Sequence, residues 1–350
     1  MRFISCFSLL FFLFSCEKDL PEVVIVPHLE SGILVLCEGL FQQNNASISW
    51  INTKTDAVSL DFYENQNGRL LGDTGNDMKI YGGKIYVIMN NSNTVEVLSK
   101  FNAKCIKQIS MHEESIGKQP RSIAFYGSNA FITCYDGFVD VLDTSTLIIT
   151  NRIAVGPNPE GLAVSNGKLF VSNSGGLNYP QVDSTVSVID LSTFQEITKV
   201  VVGKNPGAVV TDAQGDVYVV ARGNYGTIPS RMVKINPLTD LVEETFTFDV
   251  TAMEQMNQYF LISFYNFSTQ SSEIKLFNTE TEQIENPDFI NTTGISTLYG
   301  VKFNAQNNKI YCLDAMNFTN TGYVRQYSAT GVFEKKYHVG LNPSKLLFYE

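Results

Sequence analysis

The sequence predicts an all-β protein, a seven-bladed β-propeller built of four-stranded antiparallel blades. Three observations predict it: a phrase that recurs along the chain, alternating apolar strands within each recurrence, and two chain ends that complement each other. The phrase is clearest in VDVLDTSTLIITNRIAVGPNPEGLAV (139–164) and VSVIDLSTFQEITKVVVGKNPGAVV (186–210). A period of about 40–50 residues with several strands in each repeat is typical of propeller blades.

One position of the phrase marks the start of each repeat. Proline occupies it in the clear copies, and other residues are expected there where the repeat has diverged. The aligned positions are Asp77, Pro120, Pro159, Pro206, Thr251, Tyr299 and Pro343. Six boundaries between repeats, together with one composite blade formed by the two chain ends, give seven blades.

The fourth repeat shows its four strands most clearly. The strands are EGLAV (160–164), KLFVSN (168–173), TVSVIDL (185–191) and EITKVVV (196–202). Their alternating Val, Ile and Phe residues suit half-buried strands. Asn166-Gly167, between the first two strands, is a strong hairpin signal. No window carries a convincing apolar stripe of period 3.6, so few helices are expected.

The two chain ends predict how the ring closes. The propeller begins with GILVL (32–36), which matches a second strand, and it ends with PSKLLFYE (343–350), which matches a first strand. The C-terminal segment should therefore complete the first blade. Such pairing removes an open sheet edge.

The composition argues against several classes of protein. The chain has 350 residues, of which 44% are hydrophobic and 17% charged, and its net charge is −10. That acidic balance lacks the basic footprint of a nucleic-acid binder. The three histidines lie far apart in the sequence, and neither a Gly-rich phosphate loop nor a Ser-His-Asp pattern occurs. We therefore expect no catalytic site, no cofactor and no metal.

Four cysteines are expected in the mature chain: Cys37, Cys105, Cys134 and Cys312. They lie in apolar, strand-like contexts without a CxxC pair, which argues against a zinc site. Buried free thiols are the favoured state. Disulfides stay open as the alternative, because export from the cytoplasm permits them.

The first residues predict a lipoprotein signal. Residues 1–15 hold one charged residue and an apolar run too short to span a bilayer comfortably, which suits a signal peptide. Leu13-Phe14-Ser15-Cys16 resembles the bacterial lipobox, which implies lipidation of Cys16, a linker over 16–31 and a propeller over 32–350. Glu17-Lys18-Asp19 resembles the surface-export signal of Bacteroidetes lipoproteins, which implies a lipid-anchored, cell-surface-exposed protein of the outer membrane. The alternative is an ordinary secretory signal with a chance cysteine.

One face of the propeller should carry a binding site. Loops between second and third strands, such as 173–184 and 221–230, are long and rich in aromatic and amide side chains, whereas the turns between first and second strands are minimal. Long loops on a rigid scaffold are where binding usually occurs. The candidate aromatic contacts are Phe41, Tyr135, Tyr179, Tyr225, Tyr265, Phe267 and Phe318. The other candidates, expected to ring the mouth of the central channel, are Glu38, Asn90, Asn173, Arg222 and Asp314 after second strands, and Asp77, Arg121, Glu160 and Tyr299 at the start of first strands.

Each group of candidates has a structural alternative. The aromatic side chains could pack the loops onto the propeller. The polar side chains could bond to one another and to water. Arg121, Glu160 and Arg222 could form a local ion-pair network and nothing more.

The recurring phrase resembles that of the YncE-like, surface-layer-repeat propellers over about residues 32–350. Within that family, an acidic lipoprotein with this export signal is similar to the surface lipoproteins that capture cobalamin above a TonB-dependent corrinoid transporter. The resemblance implies a corrinoid ligand, a transporter partner and membrane contact through the N-terminal lipid only. A seven-bladed antibiotic lyase is similar in topology, but its chemistry depends on histidine. The alternatives are glycan capture in a polysaccharide-uptake system and a protein-interaction module.

Overall fold

Seven four-stranded antiparallel sheets form the blades of a ring in the computed structural model, which describes residues 28–349. The predicted seven-bladed propeller is confirmed. The predicted signal peptide, Cys16 and most of the predicted linker lie outside the described residues. The innermost strand of every blade contacts the innermost strands of both neighbouring blades, so the ring is closed.

The strands follow the chain in order, except in the composite first blade. That blade contains β1 (Gly32–Cys37), β2 (Ser47–Asn52), β3 (Val58–Ser59) and the C-terminal β30 (Pro343–Tyr349). The second blade contains β4 (Gly75–Tyr81), β5 (Lys84–Met89), β6 (Thr94–Ser99) and β7 (Cys105–Ser110), and a small hairpin of β8 (His112–Glu113) and β9 (Ile116–Gly117) follows it. The third contains β10 (Pro120–Tyr126), β11 (Asn129–Cys134), β12 (Phe138–Asp143) and β13 (Ile148–Ala154), and the fourth contains β14 (Pro159–Ser165), β15 (Lys168–Asn173), β16 (Thr185–Asp190) and β17 (Gln195–Val201).

The last three blades have the same internal order. The fifth contains β18 (Pro206–Thr211), β19 (Val217–Ala221), β20 (Arg231–Asn236) and β21 (Leu241–Phe246). The sixth contains β22 (Ala252–Met256), β23 (Tyr259–Asn266), β24 (Ser271–Asn278) and β25 (Gln283–Asn286). The seventh contains β26 (Leu298–Asn304), β27 (Lys309–Asp314), β28 (Thr321–Ser328) and β29 (Phe333–Leu341). Helical structure over 28–349 is limited to α1 (Phe62–Asn67) and a 3-10 turn (Gly176–Asn178), as expected.

The composite blade closes the ring as the chain ends predict. β30 pairs antiparallel with β1, so that Ile33 faces Phe348 and Val35 faces Leu346. β30 also contacts the inner strands β4 and β26 of the two adjacent blades. The C-terminal strand therefore supplies both a ladder for β1 and one segment of the inner ring.

The start of two repeats lies at a different residue from the one predicted. Pro120 pairs with Cys134, the last residue of its second strand, and a bulge follows the pair. In the second blade the residue that pairs with the end of the second strand before such a bulge is Gly75, not Asp77. In the seventh blade it is Leu298, not Tyr299. Neither repeat has the proline that marks the start of the clear copies, so an alignment by spacing alone places these starts one or two residues too late.

The hydrophobic core lies mainly between adjacent blades. Tyr86 and Ile88 of the second blade pack with Ile123 and Ile132 of the third in one buried cluster. The second strands are almost wholly buried, because blades cover both of their faces. Packing between blades therefore supplies most of the apolar burial.

The four predicted cysteines are free thiols, which confirms the favoured prediction. Cys37, Cys134 and Cys312 are buried, and Cys105 is half-buried. Burial raises the pKa of the Cys37 thiol to about 12, so this thiol is neutral at physiological pH. Across residues 28–349 no helix is both long enough and apolar enough to cross a bilayer.

The two faces of the ring differ as predicted. The loop face carries the connections from second to third strands, among them 38–46, 174–184 and 222–230. The opposite face carries tight turns, and Asn166 and Gly167 adopt φ values of 47° and 69°, as a type I′ hairpin requires. Structural elaboration is therefore concentrated on the loop face.

Candidate functional site

The central cluster is a group of six polar side chains on the loop face, where first strands begin and second strands end. Its members are Glu38, Arg121, Tyr135, Glu160, Arg222 and Tyr299. Arg121 and Glu160 are each the second residue of an inner strand, directly after the proline that starts the repeat. The repeat itself thus brings side chains from different blades to one place.

Glu160 joins the third and fourth blades in this cluster. Its carboxylate accepts hydrogen bonds from the Arg121 guanidinium, with Nη2 3.1 Å from Oε2, and from the Tyr135 hydroxyl. The same guanidinium donates to Asn76 Oδ1 at 2.9 Å and lies 4.7 Å from the centre of the Tyr135 ring. Arg121 is therefore held by a carboxylate, an amide and an aromatic face.

Arg222 approaches Glu160 from the fifth blade. Its Nη1 lies 3.6 Å from Glu160 Oε1. The guanidinium lies over Gly207, where a Cβ atom would be 2.4 Å from Nη2. Gly207 takes the place after Pro206 that Arg121 and Glu160 take in the two preceding repeats. Glycine at this position leaves the space that Arg222 fills.

Glu38 and Tyr299 form another part of the cluster, where the seventh blade meets the composite blade. The Tyr299 hydroxyl donates a hydrogen bond to the Glu38 carboxylate. Burial raises the pKa of Glu38, although the Tyr299 hydrogen bond and the Arg121 charge partly oppose the rise. Protonation of Glu38 is therefore easier than that of an exposed glutamate.

Glu160 has the opposite protonation behaviour. Burial alone would raise its pKa, but the positive charges of Arg121 and Arg222, together with the hydrogen bonds from Tyr135 and Arg121, outweigh burial and hold the pKa below its ordinary value of 4.5. At neutral pH the cluster contains two guanidinium groups facing two carboxyl groups. Its formal charge is therefore close to balanced.

Exposed aromatic side chains accompany the cluster on the loop face. Tyr225 and Phe267 are 70% and 71% exposed, and Phe41 and Tyr179 are also exposed. Tyr225 has a φ of 54°, a left-handed conformation that is unfavourable for a bulky residue. Exposed apolar surface of this kind is informative when it gathers near polar groups.

Two other predicted aromatic residues are partly packed. Tyr265 meets Phe267 edge-on at 4.8 Å between ring centres, and Phe318 meets Tyr299 edge-on at 5.7 Å. Both Tyr265 and Phe318 are half-buried. They pack against the more exposed rings of Phe267 and Tyr299.

The predicted ring of polar residues around the mouth is only partly formed. Asn90, Asn173 and Asp314 are buried within the protein, and so is Asp77. Asn90 donates to Pro120 O at 3.2 Å, and Asn173 donates to Thr185 Oγ1 and Ser187 Oγ at 3.0 and 2.9 Å. That these residues contact a ligand stays a prediction. Such a contact would require Asn90 and Asn173 to break the internal hydrogen bonds given above.

Asp314 and Asp77 bind backbone instead of facing the mouth. Asp314 accepts hydrogen bonds from the Ser296 and Thr297 amides at 3.1 Å and pairs with Arg325 at 3.2 Å. Asp77 accepts from the amide of Ile123 in the next blade at 3.1 Å. These carboxylates fasten loops and neighbouring blades.

Two residues of the site were not among the sequence candidates. Asn76 binds Arg121, and Gly207 makes room for Arg222. The signal for Gly207 is present in the aligned pairs Pro120-Arg121, Pro159-Glu160 and Pro206-Gly207. Asn76 follows Gly75, the true start of its repeat, so the displaced alignment concealed it.

The histidines lie apart from the central cluster. His28 contacts Phe101, His112 contacts Ser110, and His338 contacts Thr321. No group of three or more His, Cys, Asp or Glu side chains within 28–349 is placed to hold a metal ion.

The sequence matches a family model described as "Domain of unknown function (DUF5074)" over residues 31–340. The chain belongs to this family. The match runs from β1 into β29, so the DUF5074 domain corresponds to almost the whole propeller. No curated protein sequence matches the chain.

Solved structures share the fold of this DUF5074 propeller. A quinoprotein alcohol dehydrogenase-like protein from Bacteroides thetaiotaomicron is similar with a TM-score of 0.66 and 15% identity, over 92% of this chain and 79% of that chain. Hydrazine synthase from Kuenenia stuttgartiensis is similar with a TM-score of 0.60 and 13% identity, over 75% of this chain and 85% of that chain. At such low identity the likeness shows the fold alone, because propellers host unrelated functions.

Proposed function

We propose that this DUF5074 propeller is a binding protein that captures a cobalamin-type corrinoid on its loop face. The observation that carries the proposal is the combination of a charge-balanced central cluster with exposed aromatic side chains on the same face. The cluster supplies directional hydrogen bonds, and the aromatic residues supply apolar contact area. Binding sites generally combine these two features.

A corrinoid has the chemistry that this face would recognise. It is large and amphipathic, and it carries several amide groups around an apolar macrocycle. The loop-face aromatics Tyr179, Tyr225 and Phe267 can pack against such a ring system. Gln42 and Gln181 are exposed in the loops 38–46 and 174–184 of the same face and can exchange hydrogen bonds with amides. We infer that the protein acts by binding and not by catalysis.

The proposed setting is the outer surface of the outer membrane. A lipid on Cys16 would anchor the chain, and a TonB-dependent transporter would receive the corrinoid. Changing Cys16 to Ala is expected to release the protein from membranes, because the lipid is the proposed attachment. Fractionation of cells that express either form would measure this, and a C16A protein that stays with the membrane would contradict the proposed anchor.

The proposed identity of the ligand is tested by calorimetric titration of the whole detergent-solubilised protein with cyanocobalamin. Saturable binding is the expected result, and its absence would overturn the corrinoid proposal. Gel retardation on polysaccharides then tests glycan capture as the other outcome. Copurification of a protein partner without any small ligand would instead support an interaction module.

A further inference from the structure

Arg222 differs from four of the five other arginines within 28–349 in its lack of hydrogen-bonded partners. Its guanidinium makes no hydrogen bond with any residue of the described range 28–349, and its nearest carboxylate oxygen is 3.6 Å away. Four other arginines donate to carboxylates at hydrogen-bond distance: Arg69 to Glu96, Arg121 to Glu160, Arg152 to Asp140 and Arg325 to Asp314. Arg222 therefore retains its donors in a part of the molecule where donors are usually paired.

The surroundings of Arg222 are formed around its guanidinium. The group lies over the Cα of Gly207, where even a Cβ atom would collide with it. Its side chain is 28% exposed at the centre of the loop face. Glu160 cannot fully satisfy it, because Arg121 and Tyr135 already donate to that carboxylate. The guanidinium is thus held in place with an edge available to a ligand.

We propose that Arg222 binds a singly charged group with two acceptor oxygens on the ligand, either a phosphodiester or a carboxylate. A guanidinium presents paired N–H donors in a planar fork that matches two such oxygens. This inference deepens the proposed function and rests on it for the face that the ligand occupies. It adds that the ligand carries an anionic group at the mouth of the channel.

A comparison of two corrinoids distinguishes anion binding by Arg222 from a nonspecific contact between Arg222 and the ligand. Cobalamin contains a phosphodiester in its nucleotide loop, whereas cobinamide lacks that loop and its phosphate. Titration calorimetry of the whole protein would compare both ligands with the wild type and with Arg222→Gln. The variant is expected to bind cobalamin roughly 10- to 100-fold more weakly, the range for a charged hydrogen bond. Its affinity for dicyanocobinamide is expected to stay within about twofold of wild type.

Arg231→Gln is the matched control. Arg231 begins β20 of the same blade and likewise makes no side-chain hydrogen bond with the part of the chain described here. This variant removes the same charge and is expected to leave both affinities unchanged. Equal weakening of both corrinoids by Arg222→Gln, or no weakening of either, would overturn the inference while leaving corrinoid capture standing. Arg222→Lys keeps the charge without the fork and provides a second variant if Arg222→Gln does not fold.

A second measurement does not depend on corrinoids. The arginine Nε–H signals of the ¹⁵N-labelled protein would be followed during titration with dimethyl phosphate and, separately, with acetate. The signal that is missing in Arg222→Gln is assigned to Arg222, and a saturable shift of this signal supports the inference. The anion that binds more tightly shows whether the site prefers a phosphodiester or a carboxylate. If no corrinoid binds but this shift occurs, the proposed function fails and the anion site stands. If neither anion shifts the signal and no corrinoid binds, both fail.

Discussion

Two clusters of charged side chains on neighbouring parts of the propeller differ in how their arginines are hydrogen-bonded. The hairpin cluster of Lys118, Asp140, Arg152, Asp136 and Glu113 lies beside the β8–β9 hairpin, and the central cluster lies at the channel mouth. In the hairpin cluster the fully buried Asp140 carboxylate is bonded by Lys118 at 2.8 Å and by Arg152 at 2.9 Å. Arg152 also pairs with Asp136 and Glu113 and lies 4.0 Å from the centre of the Phe138 ring.

The two clusters differ in whether every cation is hydrogen-bonded to a carboxylate. In the hairpin cluster each cation has a carboxylate at hydrogen-bond distance, so the group fastens a hairpin to the third blade. In the central cluster Arg222 has no such partner. We infer that the hairpin cluster serves the fold and that the central cluster serves a ligand, and the following experiments test that contrast.

The largest effect is expected from deletion of residues 343–350, because both clusters depend on a closed ring. Deletion removes β30, exposes the β1 ladder and loses the burial of Leu346 and Tyr349. Each buried side chain of this size contributes roughly 1.5–3 kcal/mol. The free energy of unfolding should fall by several kcal/mol in chemical denaturation. A truncated protein that unfolds like the parent would show that β30 does not close the ring.

The next largest effect is expected from Asp140→Asn in the hairpin cluster. The change leaves the buried Lys118 ammonium without its main counter-charge, and breaking a buried pair in this way costs about 3–5 kcal/mol. Denaturant unfolding should show the loss, while ligand affinity at the mouth should not change. A similar loss from Arg222→Gln would remove the proposed distinction between the two clusters.

A smaller, pH-dependent effect is expected from Glu160→Gln. Because the pKa of Glu160 is lowered in the folded protein, its ionisation stabilises the fold above pH 4.5, and that contribution is lost as the pH falls through the lowered pKa. The variant should be less stable at pH 7 by about 1–3 kcal/mol. The difference from wild type should shrink below the ordinary glutamate pKa. Melting curves across pH 3–7 would measure it, and a constant difference at every pH would contradict the assignment.

The smallest effects on stability and a clear effect on binding are expected from the exposed aromatics. Tyr225→Ala and Phe267→Ala should each weaken corrinoid binding by at least about 1 kcal/mol, roughly fivefold. Neither should lower the melting temperature, because both rings are largely exposed. Tyr126→Ala, an exposed aromatic on the opposite face, is the matched control. Equal effects from all three variants would exclude the loop face as the binding surface.

Much of the fold could be predicted because its signals are local. Alternating side chains and the Asn166-Gly167 turn define the strands of the fourth blade, which the structure places at Pro159–Ser165, Lys168–Asn173, Thr185–Asp190 and Gln195–Val201. The complementary chain ends likewise predict the pairing of β30 with β1. The displaced repeat starts at Gly75 and Leu298 show the limit of this reasoning, since these repeats lack the marker proline and spacing alone does not define the strand register.

The sequence by itself determined the blade repeat, the closure of the ring and the face that bears long loops, because each depends on periodicity or spacing along the chain. Only the tertiary structure decided which polar side chains face the mouth. Asn173 and Asp314 are the last residues of their second strands, whereas Arg222 follows the end of its second strand. The side chains of Asn173 and Asp314 bind neighbouring strands and loops. Arg222 reaches Glu160 because Gly207, on the adjacent strand, leaves space for it. Such partners come from different strands and blades, so their distances are set by packing between elements and not by local sequence.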